Sequence, residues 1–136
     1  MNAIFIKKYL ACVADIMEQE KELLITLDSV VGDGDLGLTM SDGFAAASLA
    51  IKDSEESDCG KLLYAAGKAM SIAVPSTMGT LMASGLMAAG KALKGKQELE
   101  NCDVLHIFTA YEEGVIPVSY THLRYREFLI DQGKER

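Results

Sequence analysis

The sequence has few cysteines and no pairing motif among them. There are three, Cys12, Cys59 and Cys102. The set is odd in number and contains no C-x-x-C pair, a usage typical of reduced thiols. A signal-peptide core is also missing, because the apolar residues 4–6 are followed at once by Lys7 and Lys8. We therefore expect a cytoplasmic protein.

Positive charge is scarce as well. The chain carries 13 Lys and Arg against 20 Asp and Glu, for a formal net charge of −7. The basic residues are scattered along the sequence, whereas nucleic-acid binding requires a concentrated basic surface. We expect no nucleic-acid partner.

One long run lacks charge altogether. No charged residue occurs between Lys68 and Lys91, a length sufficient to span a bilayer. The run contains Val74-Pro75-Ser76-Thr77 and is rich in Ala, Gly and Ser rather than Leu, Ile and Phe. We interpret it as two helix ends that meet at a loop, and we expect no membrane span.

Helical periodicity is present throughout. A chain of 136 residues is long enough for one domain with a real core. Apolar spacing and capping residues predict helices over about residues 3–18, 23–30, 37–51, 59–73, 77–93 and 102–113. Asp58 and Ser76 or Thr77 are the expected N-caps, and Gly95 lies where a helix C-cap is favoured. No strand has comparable support, so the predicted class is all-α.

Acidic residues and glycines are concentrated in residues 27–40. The stretch contains Asp28, Asp33 and Asp35, with Gly32, Gly34 and Gly37, and has no lysine or arginine. Asp33 and Asp35 are two residues apart, so an extended backbone directs both to one side. Asp28, in the last turn of the preceding helix, is expected to fold back over the same point. Three adjacent negative charges are costly without a counter-ion, and Mg²⁺ shared with phosphate is the natural one. We predict that these three aspartates are metal ligands.

Two other interpretations apply to the same stretch. A calcium-binding loop of the helix–loop–helix type requires a ligand at position five and a glutamate at position twelve. Counted from Asp33, those positions are Gly37 and Phe44, so that interpretation fails. A solvated turn rich in Asp and Gly is the alternative that stays open.

Phosphate binding is expected at two helix starts. Free N–H groups and partial positive charge make such starts suitable for phosphate. One start lies near Gly37, and the other follows Pro75 and contains Ser76, Thr77, Gly79 and Thr80. A P-loop is not involved, because each Gly-Lys pair (Gly60-Lys61, Gly67-Lys68 and Gly90-Lys91) precedes an apolar residue rather than Ser or Thr.

The string Leu27-Asp28-x-x-x-Gly32-Asp33-Gly34-Asp35-x-Gly37-Leu38-x-Met40, followed by Gly43-Phe44, resembles a known family. It is similar to the nucleotide-binding L subunit of bacterial dihydroxyacetone kinase, a domain that also forms the C-terminal half of one-chain ATP-dependent kinases. The resemblance implies an antiparallel helical barrel with the nucleotide at one end. It also implies two Mg²⁺ ions that carry the phosphates of ADP or ATP. The cofactor-binding residues that we predict are Leu36, Gly37, Leu38, Thr39, Ser76, Thr77, Gly79 and Thr80.

The resemblance also implies partners. Dihydroxyacetone is carried by a separate K subunit, and where phosphoenolpyruvate drives the system, a phosphocarrier subunit rephosphorylates bound ADP. This chain would then be the nucleotide-carrying part of a phosphotransferase, and no catalytic residue is assigned to it. The sequence also leaves open whether this chain forms a homodimer. The alternatives are the nucleotide-binding half of a fatty-acid-kinase-like system, a non-catalytic nucleotide-binding regulator, and an inactive fragment.

The resemblance ends before the chain does. It covers about residues 4–116, and the sequence from Pro117 onward does not match it. We therefore divide the chain into a partial nucleotide-binding helical domain, 1–116, and an unrelated tail, 117–136. A barrel incomplete at its C-terminus would expose apolar helix faces to water. Neither His106 nor His122 is expected to act as a ligand or in catalysis.

Overall fold

Apolar residues at helical spacing build six α-helices in the computed structural model, which describes residues 1–131 and the side chains up to residue 119. They are α1 (Ala3–Gln19), α2 (Lys21–Asp28), α3 (Leu36–Lys52), α4 (Cys59–Ala73), α5 (Thr77–Ala92) and α6 (Asn101–Asp131). Within the described residues no strand is formed, and Asn2 and Glu98 make only an isolated bridge. The all-α prediction is confirmed, and the first five helices begin and end within about two residues of their predicted limits.

Three helices begin at polar residues that cap their free N–H groups. Asn2 caps α1. The carboxylate of Asp58 accepts a hydrogen bond of 3.1 Å from the N–H of Lys61 in α4. The hydroxyl oxygen of Ser76 accepts one of 3.1 Å from the N–H of Gly79 in α5. These bonds satisfy donors that the helices leave unpaired, and each such cap stabilises a helix by about 1 kcal/mol.

The helices pack in the order α1, α3, α4, α5 and α6, and α2 lies against α3. The core between them includes Ile6 and Leu10 of α1, Ile51 of α3, and Leu62 and Met70 of α4, all nearly inaccessible to solvent. Complete burial of one such side chain contributes about 1.5–3 kcal/mol. The central helices α3, α4 and α5 are thus held by their apolar faces.

Glycines set the spacing of α4 and α5. A Cβ atom at Gly60 would lie 2.5 Å from the carbonyl oxygen of Gly90, and one at Gly90 would lie 2.6 Å from that of Gly60. Because neither residue has a side chain, the two backbones touch where the helices cross. Any larger residue would have to push the helices apart.

Helix α6 is longer than predicted. The prediction ended near Glu113, before Gly114, whereas the helix continues through Pro117 to Asp131. Gly114 does not stop the helix, because it is where α6 approaches α5: a Cβ atom there would lie 2.5 Å from the Cβ of Ala88 and 2.7 Å from the carbonyl oxygen of Ser84. The predicted tail therefore begins inside a helix. Residues 132–136 and the side chain of His122 lie outside the described part, and His106 is exposed.

The uncharged run between Lys68 and Lys91 forms the end of α4 and most of α5, with Pro75 between them. This is the arrangement of two helix ends that the composition predicted. Among the described helices, none combines the length and the hydropathy that a bilayer span demands.

An apolar cleft of about 280 Å³ opens between α1 and α6. Its aromatic lining consists of Phe5, Tyr9, Phe44, Phe108 and Tyr111. Phe108 at the rim is 62% exposed. The two outermost helices of the packing order therefore leave an apolar surface facing water.

Candidate metal and phosphate site

The turn between α2 and α3 reverses the chain within a few residues. The N–H of Gly32 donates a hydrogen bond of 2.6 Å to the carbonyl oxygen of Asp28, the last residue of α2. Gly34 has φ +78°, a left-handed conformation that residues with a Cβ atom avoid. The reversal returns Asp33 and Asp35 towards the end of α2.

Three carboxylates meet at this turn. One oxygen from each of Asp28, Asp33 and Asp35 lies within 4.8 Å of the other two. Oxygens that share one Mg²⁺ ion lie at most about 4.2 Å apart, because each Mg–O distance is about 2.1 Å. Asp33 and Asp35 are exposed while Asp28 is half-buried, so the two exposed side chains have room to rotate towards a shared ion. The sequence placed these residues together, and the structure does the same; their role as metal ligands stays a prediction.

The cluster concentrates negative charge. Loss of solvent raises the pKa of the Asp35 carboxyl above its ordinary 3.8, and the negative charges of Asp33 and Asp28 raise it further. No lysine or arginine occurs between Lys21 and Lys52 to offset this charge. A set of three carboxylates without a neighbouring cation offers only hard oxygen ligands, the kind that Mg²⁺ takes. The residues present therefore fit a magnesium site.

The first turn of α3 begins directly at the cluster. The N–H of Leu36 donates a hydrogen bond of 3.2 Å to Oδ2 of Asp28, and that of Thr39 donates to the carbonyl oxygen one turn earlier. The N–H groups of Gly37 and Leu38 have no acceptor among the described residues. Leu38 is exposed, whereas Gly37 and Thr39 are buried. The free donors of this turn are therefore the backbone N–H groups of Gly37 and Leu38, whereas that of Thr39 is already bonded within the helix.

Helix α2 supports this turn through residues that the sequence did not single out. A Cβ atom at Gly37 would collide with the carbonyl oxygen of Lys21 and lie 2.7 Å from Cγ1 of Ile25. A Cβ atom at Gly34 would lie 2.6 Å from Oγ of Ser29. The glycine spacing was the only signal of these contacts, and it does not identify the residues on the other side. Gly37 thus serves the packing of α3 on α2.

The second predicted segment lies at the start of α5. Ser76 caps the helix, Gly79 is buried, and Thr77 and Thr80 are exposed. In the described part of the chain, no hydrogen bond or ion pair joins these residues to the aspartates. The connection runs through packing, because a Cβ atom at Gly43 of α3 would lie 3.0 Å from Cγ2 of Val74. The two helix starts therefore lie on neighbouring helices.

An all-helical bundle with an acidic cluster at one helix start is the class of protein that the fold and site define. A sequence model of the DAK2 domain matches residues 30–123, a span that includes Asp33, Asp35 and all of α3 to α5. The match covers more than half of the chain, so the chain belongs to the DAK2 domain family. It extends beyond residue 116, where we placed the end of the resemblance; the division of the chain at that point stays a prediction.

Among curated proteins, the chain is similar to ADP-binding subunits named DhaL. It is 29% identical over 111 residues to that subunit of the PEP-dependent dihydroxyacetone kinase of Escherichia coli, over 82% of this chain and 53% of the relative. It is 30% identical over 101 residues to that of PEP-dependent dihydroxyacetone kinase 2 of Listeria innocua, over 73% of this chain and 47% of the relative. The resemblance to the L subunit is confirmed. The chain spans about half the length of these relatives.

Proposed function

We propose that this chain carries ADP or ATP with two Mg²⁺ ions in a dihydroxyacetone-type kinase and passes a phosphoryl group to a triose held by a partner subunit. The observation that carries the proposal is the convergence of Asp28, Asp33 and Asp35 at the start of α3. The relatives are named as ADP-binding subunits, which supports nucleotide as the ligand of this acidic site.

The three carboxylates would hold the metal. Bound Mg²⁺ supplies neutralisation of the charge on phosphate oxygens. Asp28 is oriented for this task because the N–H of Leu36 already holds one of its oxygens at 3.2 Å. The N–H groups of Gly37 and Leu38 are donors at the positive end of α3, next to the position that a phosphate would take. Together these groups bind and orient phosphate without a basic side chain.

The start of α5 would contact the same nucleotide. Val74, which precedes the cap Ser76, packs on Gly43 of α3. Gly43 lies seven residues after Leu36, a separation of about 10 Å along a helix. Val74 therefore meets α3 about two helical turns beyond the aspartates, and the exposed Thr77 and Thr80 follow Val74 in the chain. In this proposal one nucleotide extends between the two helix starts.

The acceptor would come from outside this chain. Phosphoryl transfer depends mainly on positioning and charge neutralisation, and the residues described above provide both for the nucleotide. In this proposal a K subunit presents dihydroxyacetone, and a phosphocarrier subunit restores the phosphate where phosphoenolpyruvate is the donor. The PEP-dependent kinases named above favour that donor over free ATP.

Calorimetric titration of ADP with and without Mg²⁺ tests the proposal. We expect ADP binding that requires Mg²⁺ and that Asp33→Asn weakens at least about tenfold, since a lost ligand costs no less than a lost supporting group. Asp53→Asn is the matched control, because Asp53 is an exposed aspartate at the far end of α3 and its loss should leave binding within about twofold. If the ADP affinity were the same with and without Mg²⁺, and the same in Asp33→Asn as in the wild type, the magnesium-nucleotide site would be disproved.

A coupled assay tests the reaction itself. The chain is mixed with a K subunit, the phosphocarrier components, phosphoenolpyruvate and dihydroxyacetone, and phosphorylated triose is measured. Product that depends on this chain and is lost in Asp33→Asn supports the kinase role. Magnesium-dependent ADP binding without product in this assay would instead favour the regulator or the fatty-acid-kinase-like alternative.

A further inference from the structure

Four lysines that are far apart in the sequence line one depression between α4 and the end of α5. They are Lys61, Lys68, Lys91 and Lys94. The remaining lining consists of Gly60, Tyr64, Ala65 and Gly90, and the volume is about 490 Å³. All four lysines are exposed, and no Asp or Glu is part of the lining. This lysine depression is a local reversal of sign in a chain of net charge −7.

The lining residues of α4 form one stripe. Lys61, Tyr64, Ala65 and Lys68 follow the i, i+3, i+4, i+7 spacing that puts side chains on one helix face. The two lysines of this stripe are thus about 10 Å apart along the axis. The backbone contact of Gly60 with Gly90 brings the end of α5, with its own lysines, alongside. Positive charge therefore extends over about two helical turns with an aromatic ring near its centre.

Most of this charge is not neutralised. Lys61 pairs with Glu56 at 3.3 Å. The other three, Lys68, Lys91 and Lys94, have no ion pair with any residue whose side chain is described. The Lys91 Nζ atom lies 5.8 Å from the centre of the Tyr64 ring, close enough for a cation–π attraction. The tyrosine ring thus lies within the charged surface.

The form of the depression favours an extended acidic segment over a single phosphate. A phosphate site at a helix start uses free backbone N–H groups, but Asp58 already accepts hydrogen bonds from the N–H groups of Lys61 and Gly95 there. Its negative charge would also repel a phosphate at that point. A long polyanion such as nucleic acid would meet the acidic remainder of the chain. A helix with carboxylates at i, i+3, i+4 and i+7 would match both the length of the depression and the spacing of the side chains in the α4 stripe.

We propose that the lysine depression docks an acidic helix of a partner protein, with carboxylates opposite Lys68, Lys91 and Lys94 and an apolar side chain on Tyr64. The surface lies where α4 begins and α5 ends, whereas Ser76 to Thr80 lie where α5 begins. It is therefore separate from the proposed nucleotide site, and neither proposal depends on the other. Complementary charge of this kind contributes mainly to the association rate and to partner choice.

A synthetic helical peptide tests this docking. The probe carries glutamates at i, i+3, i+4 and i+7 with one central leucine, and a peptide of the same composition with the glutamates dispersed around the helix is its control. Binding to the full chain is followed by fluorescence anisotropy at low salt. We expect the patterned peptide to bind, the dispersed one to bind more weakly, and added salt to weaken both.

Two charge-matched double variants locate the surface. The double variant Lys68→Glu with Lys91→Glu should bind the patterned peptide at least about fivefold more weakly than the wild type does. Lys8→Glu with Lys52→Glu changes the net charge equally at two exposed lysines elsewhere, and should change binding less than about twofold. Circular dichroism verifies that both variants fold, and magnesium-dependent ADP binding should be the same in both.

Several results would overturn the docking proposal: no binding of the patterned peptide, equal binding of both peptides, or equal losses in both double variants. Tighter binding of inorganic tripolyphosphate or of single-stranded RNA that depends on Lys68 and Lys91 would also overturn it, and would assign the surface to that ligand instead.

Discussion

The Asp28 carboxylate, at the last residue of α2, accepts a hydrogen bond of 3.2 Å from the backbone N–H of Leu36, the first residue of α3. One oxygen of this side chain thus satisfies a free donor at a helix start. The same carboxylate belongs to the cluster with Asp33 and Asp35. Asp28 therefore joins the two helices and contributes to the candidate metal site, and substitution can separate these two roles.

Asp28→Asn and Asp28→Ala should differ in stability and agree in ligand binding. Asparagine keeps an oxygen that accepts from the Leu36 N–H, whereas alanine does not, so only Asp28→Ala should lose about 1 kcal/mol of unfolding free energy. Both remove a negative charge from the proposed metal site and should weaken magnesium-dependent ADP binding at least about tenfold. Chemical denaturation and calorimetric titration measure the two effects. If the alanine variant were as stable as the wild type, the bond to Leu36 would contribute nothing.

Gly34→Ala should destabilise the chain more than Gly95→Ala. Both glycines have positive φ, +78° and +92°, and an alanine in that conformation costs about 1–2 kcal/mol. A Cβ atom at Gly34 would also lie 2.6 Å from Oγ of Ser29, whereas one at Gly95 meets no atom within 4 Å. Denaturation of the two variants measures the difference. Adding Ser29→Ala should restore part of the Gly34→Ala loss, and full additivity of the two changes would rule out the crowding.

Asp58→Ala should remove part of the loss of stability in acid. Burial alone would raise the pKa of the Asp58 carboxyl, but hydrogen bonds from the N–H groups of Lys61 and Gly95 outweigh it and lower the pKa below 3.8. An acid with a lowered folded pKa stabilises the fold above its unfolded value of 3.8 and loses that contribution as pH falls through the folded pKa. The variant should lose about 1–2 kcal/mol near neutral pH and show a flatter decline below pH 3.8.

Ser76→Ala is the control for this pH dependence. It also removes an N-cap, which accepts from Gly79 at 3.1 Å, but a serine hydroxyl does not ionise. Its cost of about 1 kcal/mol should therefore be the same at every pH. An equal pH profile for the two variants would show that the charge of Asp58 is not what lowers its contribution in acid.

Tyr111→Phe should protect the fold at high pH. Burial raises the pKa of the Tyr111 hydroxyl to about 12, with a further contribution from Tyr9. The folded chain therefore keeps this proton at pH values between 10 and about 12, where the unfolded chain releases it, so stability falls as pH rises through that interval. Denaturation at pH values on either side of 10 should show a smaller decline for Tyr111→Phe than for the control Tyr64→Phe, whose ring is exposed. Equal declines would contradict the burial of the Tyr111 hydroxyl.

Features that depend on neighbouring residues were predictable from the sequence. Asp58 caps α4 and Ser76 caps α5 as expected, because a cap bonds to an N–H only a few residues away. Gly95 has a positive φ, as expected near a helix end, although the C-cap itself is Leu93, two residues earlier. The convergence of Asp33, Asp35 and Asp28 was also predictable, since only seven residues, two of them glycines, separate the end of α2 from the start of α3.

Features that depend on distant residues were not. The predicted helix ended just before Gly114, but Gly114 packs closely against Ala88 of α5 within a continuous helix. Gly37 is a predicted cofactor-binding residue, and that role stays a prediction; its close approach to α2 was not visible in the sequence. A glycine looks the same whether it ends a helix, turns a loop or admits a neighbouring backbone. Only the tertiary contact distinguishes the three.

The lysines show most clearly the difference between features set by neighbouring residues and features set by distant ones. The basic residues are scattered along the sequence, and from that we expected no nucleic-acid partner. The contact of α4 with α5 nevertheless gathers Lys61, Lys68, Lys91 and Lys94 around one depression. The sequence by itself determined the helices and the acidic turn, because hydrogen bonds and side-chain spacing within a few residues produce them. The tertiary structure alone decided which helix faces meet, because that depends on the packing of side chains far apart along the chain.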